Sequence, residues 1–106
     1  MKRIIDGLRY DTETATGMAS WNNGCGGGDF HQCKETLYRT KSGRYFVHGD
    51  GGALSRWASS FEGGRSHGPG EGIIALTPQE ALLWLEEHAL DIPDGCPEIA
   101  ALVVEA

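Results

Sequence analysis

Residues 33–48 run CKETLYRTKSGRYFVH and carry the clearest β signal of the chain. Two extended stretches, 33–40 and 44–48, flank a short connection that ends at Gly43. Aromatic and branched side chains suit a pleated, half-buried surface, and a short glycine-containing connection is typical of a tight hairpin. The sequence therefore predicts a β-hairpin over 33–48.

The second strong local signal is a helix start at Thr77. Its hydroxyl can cap a helix, Pro78 suits the first helical position, and Glu80 stands where a capping box needs a carboxylate. Apolar residues then recur at helical spacing, and a short apolar strand, 73–76, comes just before. The sequence therefore predicts a helix over 77–90.

The tail, residues 91–106, leaves two alternatives open. It contains Pro93 and Pro97 and then an apolar run that suits either a short terminal helix or an added strand. Either element would cover Leu83 and Leu90, which fall on the side of the predicted helix opposite its main apolar face. If the tail stays mobile, the two leucines form a stripe for a binding partner.

The N-terminal part predicts a hairpin followed by a helix. Short strands near 3–5 and 8–10 flank Asp6-Gly7, a dipeptide that favours tight turns. Residues that can cap a helix follow, and they predict a short helix near 13–20.

Glycine-rich segments separate these elements. Residues 22–30 and 61–72 have no hydrophobic periodicity, and both are predicted to be loops. We therefore expect a single α+β domain over 1–106. Its predicted parts are a small antiparallel sheet, made of the hairpin 33–48 and strands near 3–10 and 73–76, packed on helix 77–90, with a short helix near 13–20.

Length and composition narrow the class of protein. The chain has 106 residues, the size of one domain with one core. Neither a membrane-spanning run nor a signal-peptide core is visible, and three cysteines suit reduced thiols better than a disulfide framework, with a Cys25–Cys33 bridge left open. We therefore expect a cytoplasmic protein.

Charge is divided unevenly along the chain. Residues 1–65 hold all nine Lys and Arg against seven acidic residues, whereas residues 66–106 hold eight acidic residues and no Lys or Arg. Such a segment repels nucleic acid and attracts basic protein surfaces. It is either a solvated face that maintains solubility or a surface for a partner.

A zinc site can be drawn from Cys25, His31, Cys33 and His48. Two thiolates and two imidazoles make a suitable ligand set, but the closely paired spacings typical of structural zinc sites are missing. We therefore expect no cofactor. A small zinc-supported regulatory or nucleic-acid-associated module remains the alternative to a binding protein.

Besides a binding protein and a zinc-supported module, the residue types of the chain allow a third class of function, a thiol enzyme. Its nucleophile would be Cys25 or Cys33, its base His48 or His67, and Asp50 would orient the imidazole. No local signature marks either cysteine as a nucleophile, so we expect a protein without catalytic residues.

Five segments of the chain carry a family resemblance: IIDGLRYDTETA at 4–15, ETLY at 35–38, GRYF at 43–46, HGDGGA at 48–53 and GEGII at 70–74. In this order, over roughly residues 3–88, the chain resembles small proteins carried by phages, prophages and conjugative elements. Some proteins of this general kind act as anti-CRISPRs. The glycine-rich loop and the tail after His88 are the parts least like the family.

The resemblance implies a product that acts on host machinery in the bacterial cytoplasm. We expect it to bind and inhibit a host protein or ribonucleoprotein defence complex, without contacting nucleic acid or a membrane directly. An acidic inhibitor suits the basic nucleic-acid channel of such a complex. The carboxylates expected to make the contact are Glu80, Glu86, Glu87, Asp91 and Asp94.

Overall fold

The computed structural model describes residues 1–25, 29–61 and 66–106, and this part of the chain forms eight strands and two helices. The strands are β1 (Lys2–Ile5), β2 (Leu8–Asp11), β3 (Thr16–Asn22), β4 (Cys33–Arg39), β5 (Tyr45–Gly51), β6 (Ser59–Phe61), β7 (Ser66–Gly68) and β8 (Gly70–Leu76). The helices are α1 (Pro78–Glu87) and α2 (Pro97–Ala100). The domain is thus mixed α+β, with strands predominating.

The main sheet has four antiparallel strands in the order β3-β4-β5-β8. The predicted hairpin is confirmed as its centre, where β4 and β5 pair with Leu37 opposite Val47. The apolar strand predicted over 73–76 is also confirmed, although β8 starts earlier, at Gly70.

The hairpin of β1 and β2 is confirmed, but its predicted place in the main sheet is wrong. Asp6 and Gly7 both have positive φ, 52° and 78°, as the right-handed twist of a two-residue hairpin requires. The hairpin is a separate two-stranded sheet. Instead of a ladder with β8, its Arg3 Nη1 donates a hydrogen bond to the Ile73 carbonyl at 2.7 Å.

The short helix predicted near 13–20 is wrong, because this segment contains β3. Asp11 caps a single turn, in which the Ala15 amide donates to the Asp11 carbonyl, and the chain then extends. β3 pairs with β4 from Thr16 to Asn22, with a bulge between Gly17 and Ala19. A ladder along a whole strand outweighs the weak helical preference of a glycine-containing segment.

The structure describes only part of each of the two glycine-rich segments predicted to be loops. Part of 22–30, residues 26–28, lies outside the described residues, as does part of 61–72, residues 62–65. The remainder of 61–72 is not a loop: β7 pairs with β6, and β8 begins at Gly70.

The main sheet has two different faces. Leu37, Tyr45 and Val47 point to the face we call the core face, where α1, α2 and Trp57 pack. On the opposite, outer face, Phe46 and Ile73 lie against the β1–β2 hairpin, whose Tyr10 ring meets Phe46 edge-on at 5.5 Å. The sheet is therefore covered by helices on one face and partly by a hairpin on the other.

The predicted helix 77–90 is shorter in the structure. Its start is confirmed: the Thr77 side chain accepts from the Glu80 amide at 3.1 Å, and Glu80 Oε1 accepts from the Thr77 amide at 2.9 Å. α1 ends at Glu87 because Ala89 adopts a positive φ of 54°, and the Leu90 amide then donates to the Leu85 carbonyl. This is the Schellman arrangement, which terminates a helix by satisfying its last carbonyls.

The tail adopts the helical alternative. α2 packs on α1 and fully buries Ile99. Leu90 is partly buried against the core, whereas Leu83 keeps 56% of its surface exposed. The expectation that the tail covers both leucines is therefore wrong for Leu83.

Candidate functional site

The predicted contact residues lie on α1 and on the segment that follows it. All five side chains are exposed, and within the described ranges none of them makes an ion pair: Glu80, Glu86, Glu87, Asp91 and Asp94. We call these five carboxylates, together with Leu83, the acidic surface.

Leu83 is the centre of the helical part of the acidic surface. Glu80 precedes it by three residues, and Glu86 and Glu87 follow it by three and four, spacings that make neighbours on a helix. Asp91 and Asp94 lie beyond the end of α1, where Ala89 has a positive φ. The helix thus brings three of the five predicted carboxylates around one exposed apolar side chain.

α1 is held firmly against the sheet. Ala81, Trp84 and Leu85 are buried, and both ends of the helix are capped by hydrogen bonds. The outward side of α1 is therefore displayed on a rigid element, which lowers the entropy lost when a partner binds.

Glu35, which sequence reasoning missed, connects α1 to the sheet through a hydrogen bond. Glu35 is on β4, and its side chain is 2% exposed. Its Oε1 accepts from Trp84 Nε1 at 2.7 Å, and its Oε2 accepts from Trp57 Nε1 at 2.9 Å. Two indoles thus hold one buried carboxylate.

Two cationic or ionisable groups also approach this carboxylate. Arg56 Nη1 lies 3.6 Å from Oε2, and His88 Nε2 lies 3.6 Å from Oε1. Burial raises the pKa of Glu35, but the two indole hydrogen bonds and the nearby Arg56 and His88 outweigh burial, so this pKa lies below its usual value. Glu35 is therefore ionised at neutral pH.

His88 completes the contact between α1 and the edge of the sheet. Its ring stacks on Trp21 of β3 with centroids 4.1 Å apart, and it meets the edge of Trp84 at 4.8 Å. Three tryptophans from distant parts of the chain thus surround one Glu–His pair. The sequence signal that could have indicated Glu35 is its alternation with Cys33 and Leu37 on the apolar face of β4.

Two glycines make room for Trp57. Gly49 and Gly72 are opposite each other on β5 and β8, and the indole lies over both. A Cβ atom on Gly49 would overlap the ring, and one on Gly72 would lie 3.2 Å from it. The glycines therefore allow the Trp57 indole to reach Glu35.

The uncovered half of the outer face forms a shallow polar groove of about 340 Å³. In it, His48 Nε2 lies 3.0 Å from Glu71 Oε2, and Ser20 Oγ lies 3.3 Å from Thr36 Oγ1. These contacts give the polar side chains of the groove hydrogen-bond partners within the protein.

The zinc site drawn from the sequence is not formed. Cys33 is buried on the core face, whereas His48 is on the outer face beside Glu71. His31 is exposed and lies beside Asp29. No three histidine, cysteine or carboxylate side chains meet as metal ligands in the described ranges.

The thiol-enzyme arrangement is also not formed around Cys33. Burial, followed by the charge of Glu35, raises the pKa of the Cys33 thiol, which opposes formation of a thiolate. The candidate base His48 and the candidate orienting residue Asp50 lie on the other face of the sheet.

A second charged cluster attaches α2 to the sheet. Glu98 accepts two hydrogen bonds from Arg39, at 2.7 and 3.0 Å, and one from the Tyr45 hydroxyl at 2.7 Å. The hydrogen bonds from Arg39 and then from Tyr45 lower the pKa of Glu98 to about 2. This cluster positions the tail helix.

Comparisons of the chain with protein families, with curated proteins and with solved structures find no match. In the described part of the chain, neither helix has the length and apolar character needed to cross a bilayer.

Proposed function

We propose that this protein is a binding protein whose acidic surface docks on a basic surface of another macromolecule. The observation that carries the proposal is the position of Leu83, an exposed apolar side chain surrounded by carboxylates on a rigid helix. An apolar centre with a charged rim is the usual anatomy of a protein-binding patch.

Charge supports the same reading. The acidic surface belongs to the segment 66–106, in which eight acidic residues have no Lys or Arg among them. Within the described ranges the carboxylates of the acidic surface make no ion pair, so their charge is available to a partner. Charge of one sign steers a complementary surface and accelerates encounter.

The Glu35 network supports the proposal as a positioning device. It joins α1 to β4 through Trp84 and His88, so the orientation of the acidic surface depends on a buried core contact. Glu35 does not contact the partner in this proposal. It keeps the surface in one orientation.

For the class of partner, we propose a host defence ribonucleoprotein, in line with the resemblance to proteins of mobile elements. A CRISPR-type nuclease complex has a basic channel for nucleic acid, which an acidic surface fits by charge. In this proposal the protein is an inhibitor that competes with nucleic acid and catalyses no reaction itself.

The test measures binding to a panel of purified CRISPR effector complexes by surface plasmon resonance at increasing salt. We expect the affinity to fall with salt and with added target DNA, and to fall at least about tenfold when Glu86 and Glu87 are both changed to Lys. The matched control changes Glu13 and Glu105, exposed carboxylates outside the acidic surface, to Lys.

Unchanged binding after the Glu86→Lys, Glu87→Lys reversal would overturn the assignment of the acidic surface. An equal loss in the control pair would mean that net charge, and not this surface, drives binding. An absence of binding across the panel would overturn the proposed partner class.

A further inference from the structure

The two edge strands of the main sheet, β8 and β3, differ in how they are protected against pairing with a strand of another molecule. On the β8 edge, the Arg3 guanidinium donates a hydrogen bond to the Ile73 carbonyl, and β1 lies alongside β8. On the other edge, β3 pairs with β4 alone among the described strands. A terminal strand without such a cover exposes backbone groups that another strand can pair with.

β3 also lacks the usual side-chain protection of an edge. Its sequence, TGMASWN, contains no charged residue and no proline, whereas every other described strand of four or more residues carries at least one charge. Charges and prolines are the common means by which edge strands resist pairing. The bulge between Gly17 and Ala19 protects only the first part of β3.

The alternation of an antiparallel ladder shows which backbone groups face outward. The Asn23 amide donates to the Cys33 carbonyl at 3.1 Å, so residue 23 points its backbone groups towards β4. Residues 21 and 19 share that direction, and the N–H and C=O groups of Ser20 and Asn22 therefore point away from the sheet. Both residues are exposed.

We propose that β3 pairs antiparallel with β3 of a second copy of this chain, about a two-fold axis at Trp21. Ser20 of one copy then stands opposite Asn22 of the other. The two pairs exchange about four main-chain hydrogen bonds. The pairing joins two four-stranded sheets into one continuous sheet.

Three features favour a second copy as the occupant. An open edge requires an extended backbone, and β3 itself supplies one. An uncharged strand opposes no like charges when it pairs with itself, although the whole chain carries a net charge of −6. A self-complementary contact about a two-fold axis is closed, so it stops at a dimer.

The register leaves the irregular backbone outside the contact. The bulge at Gly17–Ala19 lies before the paired residues, and Gly24, with a φ of 79°, ends the extended chain after them. The two Trp21 side chains come next to each other on the core face, where aromatic pairs stabilise a cross-strand contact.

The experiment is sedimentation equilibrium of the full chain over a range of concentrations up to about 1 mM, which detects a dimer whose Kd is as weak as about 1 mM. We expect the mass to rise with concentration from the monomer value of 11.4 kDa towards twice that value. Because both copies are acidic, dimerisation strengthens with salt, whereas binding of the acidic surface to a basic partner weakens. The two proposals can therefore fail separately.

Ser20→Pro removes the outward N–H and leaves the β4 ladder intact, and Ser20→Ala is its matched control, since it loses the same hydroxyl but keeps the N–H. We expect Ser20→Pro to weaken the dimer at least about tenfold, as the loss of two main-chain hydrogen bonds implies, and Ser20→Ala to retain it. Hydrogen exchange gives an independent measurement: the Ser20 and Asn22 amides become protected as concentration rises.

A mass that stays monomeric up to the highest concentration, with unprotected Ser20 and Asn22 amides, would overturn the proposal. A dimer that is equally stable in Ser20→Pro would place the contact elsewhere. Protection of these amides by a different protein, with the chain alone monomeric, would replace the second copy by that partner.

Discussion

Trp84 Nε1 donates a 2.7 Å hydrogen bond to Oε1 of Glu35, and this bond connects helix α1 to β4, a strand at the centre of the sheet. The helix displays the acidic surface, and the strand lies in the core. The same carboxylate accepts from Trp57 through its other oxygen. Glu35 is therefore the point at which the core and the proposed binding surface meet.

Replacing Glu35 with Gln is expected to lower the free energy of unfolding by about 2–4 kcal/mol. An amide offers one acceptor and one donor, so one indole N–H would face an N–H group, and Arg56 would lose its counter-charge. Urea unfolding followed by tryptophan fluorescence measures the loss. Glu71→Gln, at an exposed carboxylate, is the control and should cost less than about 1 kcal/mol; equal losses would contradict the role of Glu35.

Replacing Gly49 with Ala is expected to destabilise the protein by about 1–3 kcal/mol, because the new methyl group overlaps the Trp57 indole and displaces it from Glu35. Gly72→Ala lies under the same ring with more space, at 3.2 Å, and should cost less. Thermal unfolding compares the two variants. A larger loss for Gly72→Ala would contradict the described position of Trp57.

The Glu98 cluster predicts a dependence of stability on acid pH. The pKa of Glu98 is lowered from 4.5 to about 2 in the folded protein, so its contribution is complete above pH 4.5 and is lost as pH falls towards 2. Glu98→Gln should be less stable than the wild type at neutral pH and should lose less stability between pH 4.5 and 2. Urea unfolding at a series of pH values measures how the free energy of unfolding of each protein changes with pH. The same pH dependence in Glu98→Gln and the wild type would contradict this prediction.

Substitutions at Leu83 and Leu85 distinguish an effect on binding from an effect on stability. Because its side chain is 56% exposed, Leu83→Ala should change the free energy of unfolding by less than about 0.5 kcal/mol, while Leu85→Ala, at a buried position on the same helix, should cost about 2–5 kcal/mol. In the effector-binding assay, Leu83→Ala should weaken the complex although the fold is intact. Full affinity in this variant would remove Leu83 from the proposed contact.

Local signals in the sequence predicted the elements whose causes lie within a few residues. The Asp6-Gly7 turn follows from backbone sterics, and the start of α1 follows from the capping box of Thr77 and Glu80. The central hairpin follows from two β-rich stretches joined by a short turn. The sequence also determines the unequal distribution of charge, and with it which segment is acidic.

Tertiary structure decided the features that depend on distant partners. Glu35 meets Trp57 and Trp84, 22 and 49 residues further along the chain, and no local pattern encodes those distances. β3 is a strand because β4 supplies its ladder, against the helical spacing of its own residues. Cys33 and His48 are close in sequence, yet the two-residue period of adjacent strands places them on opposite faces, since alternation and long-range packing together determine what a side chain meets.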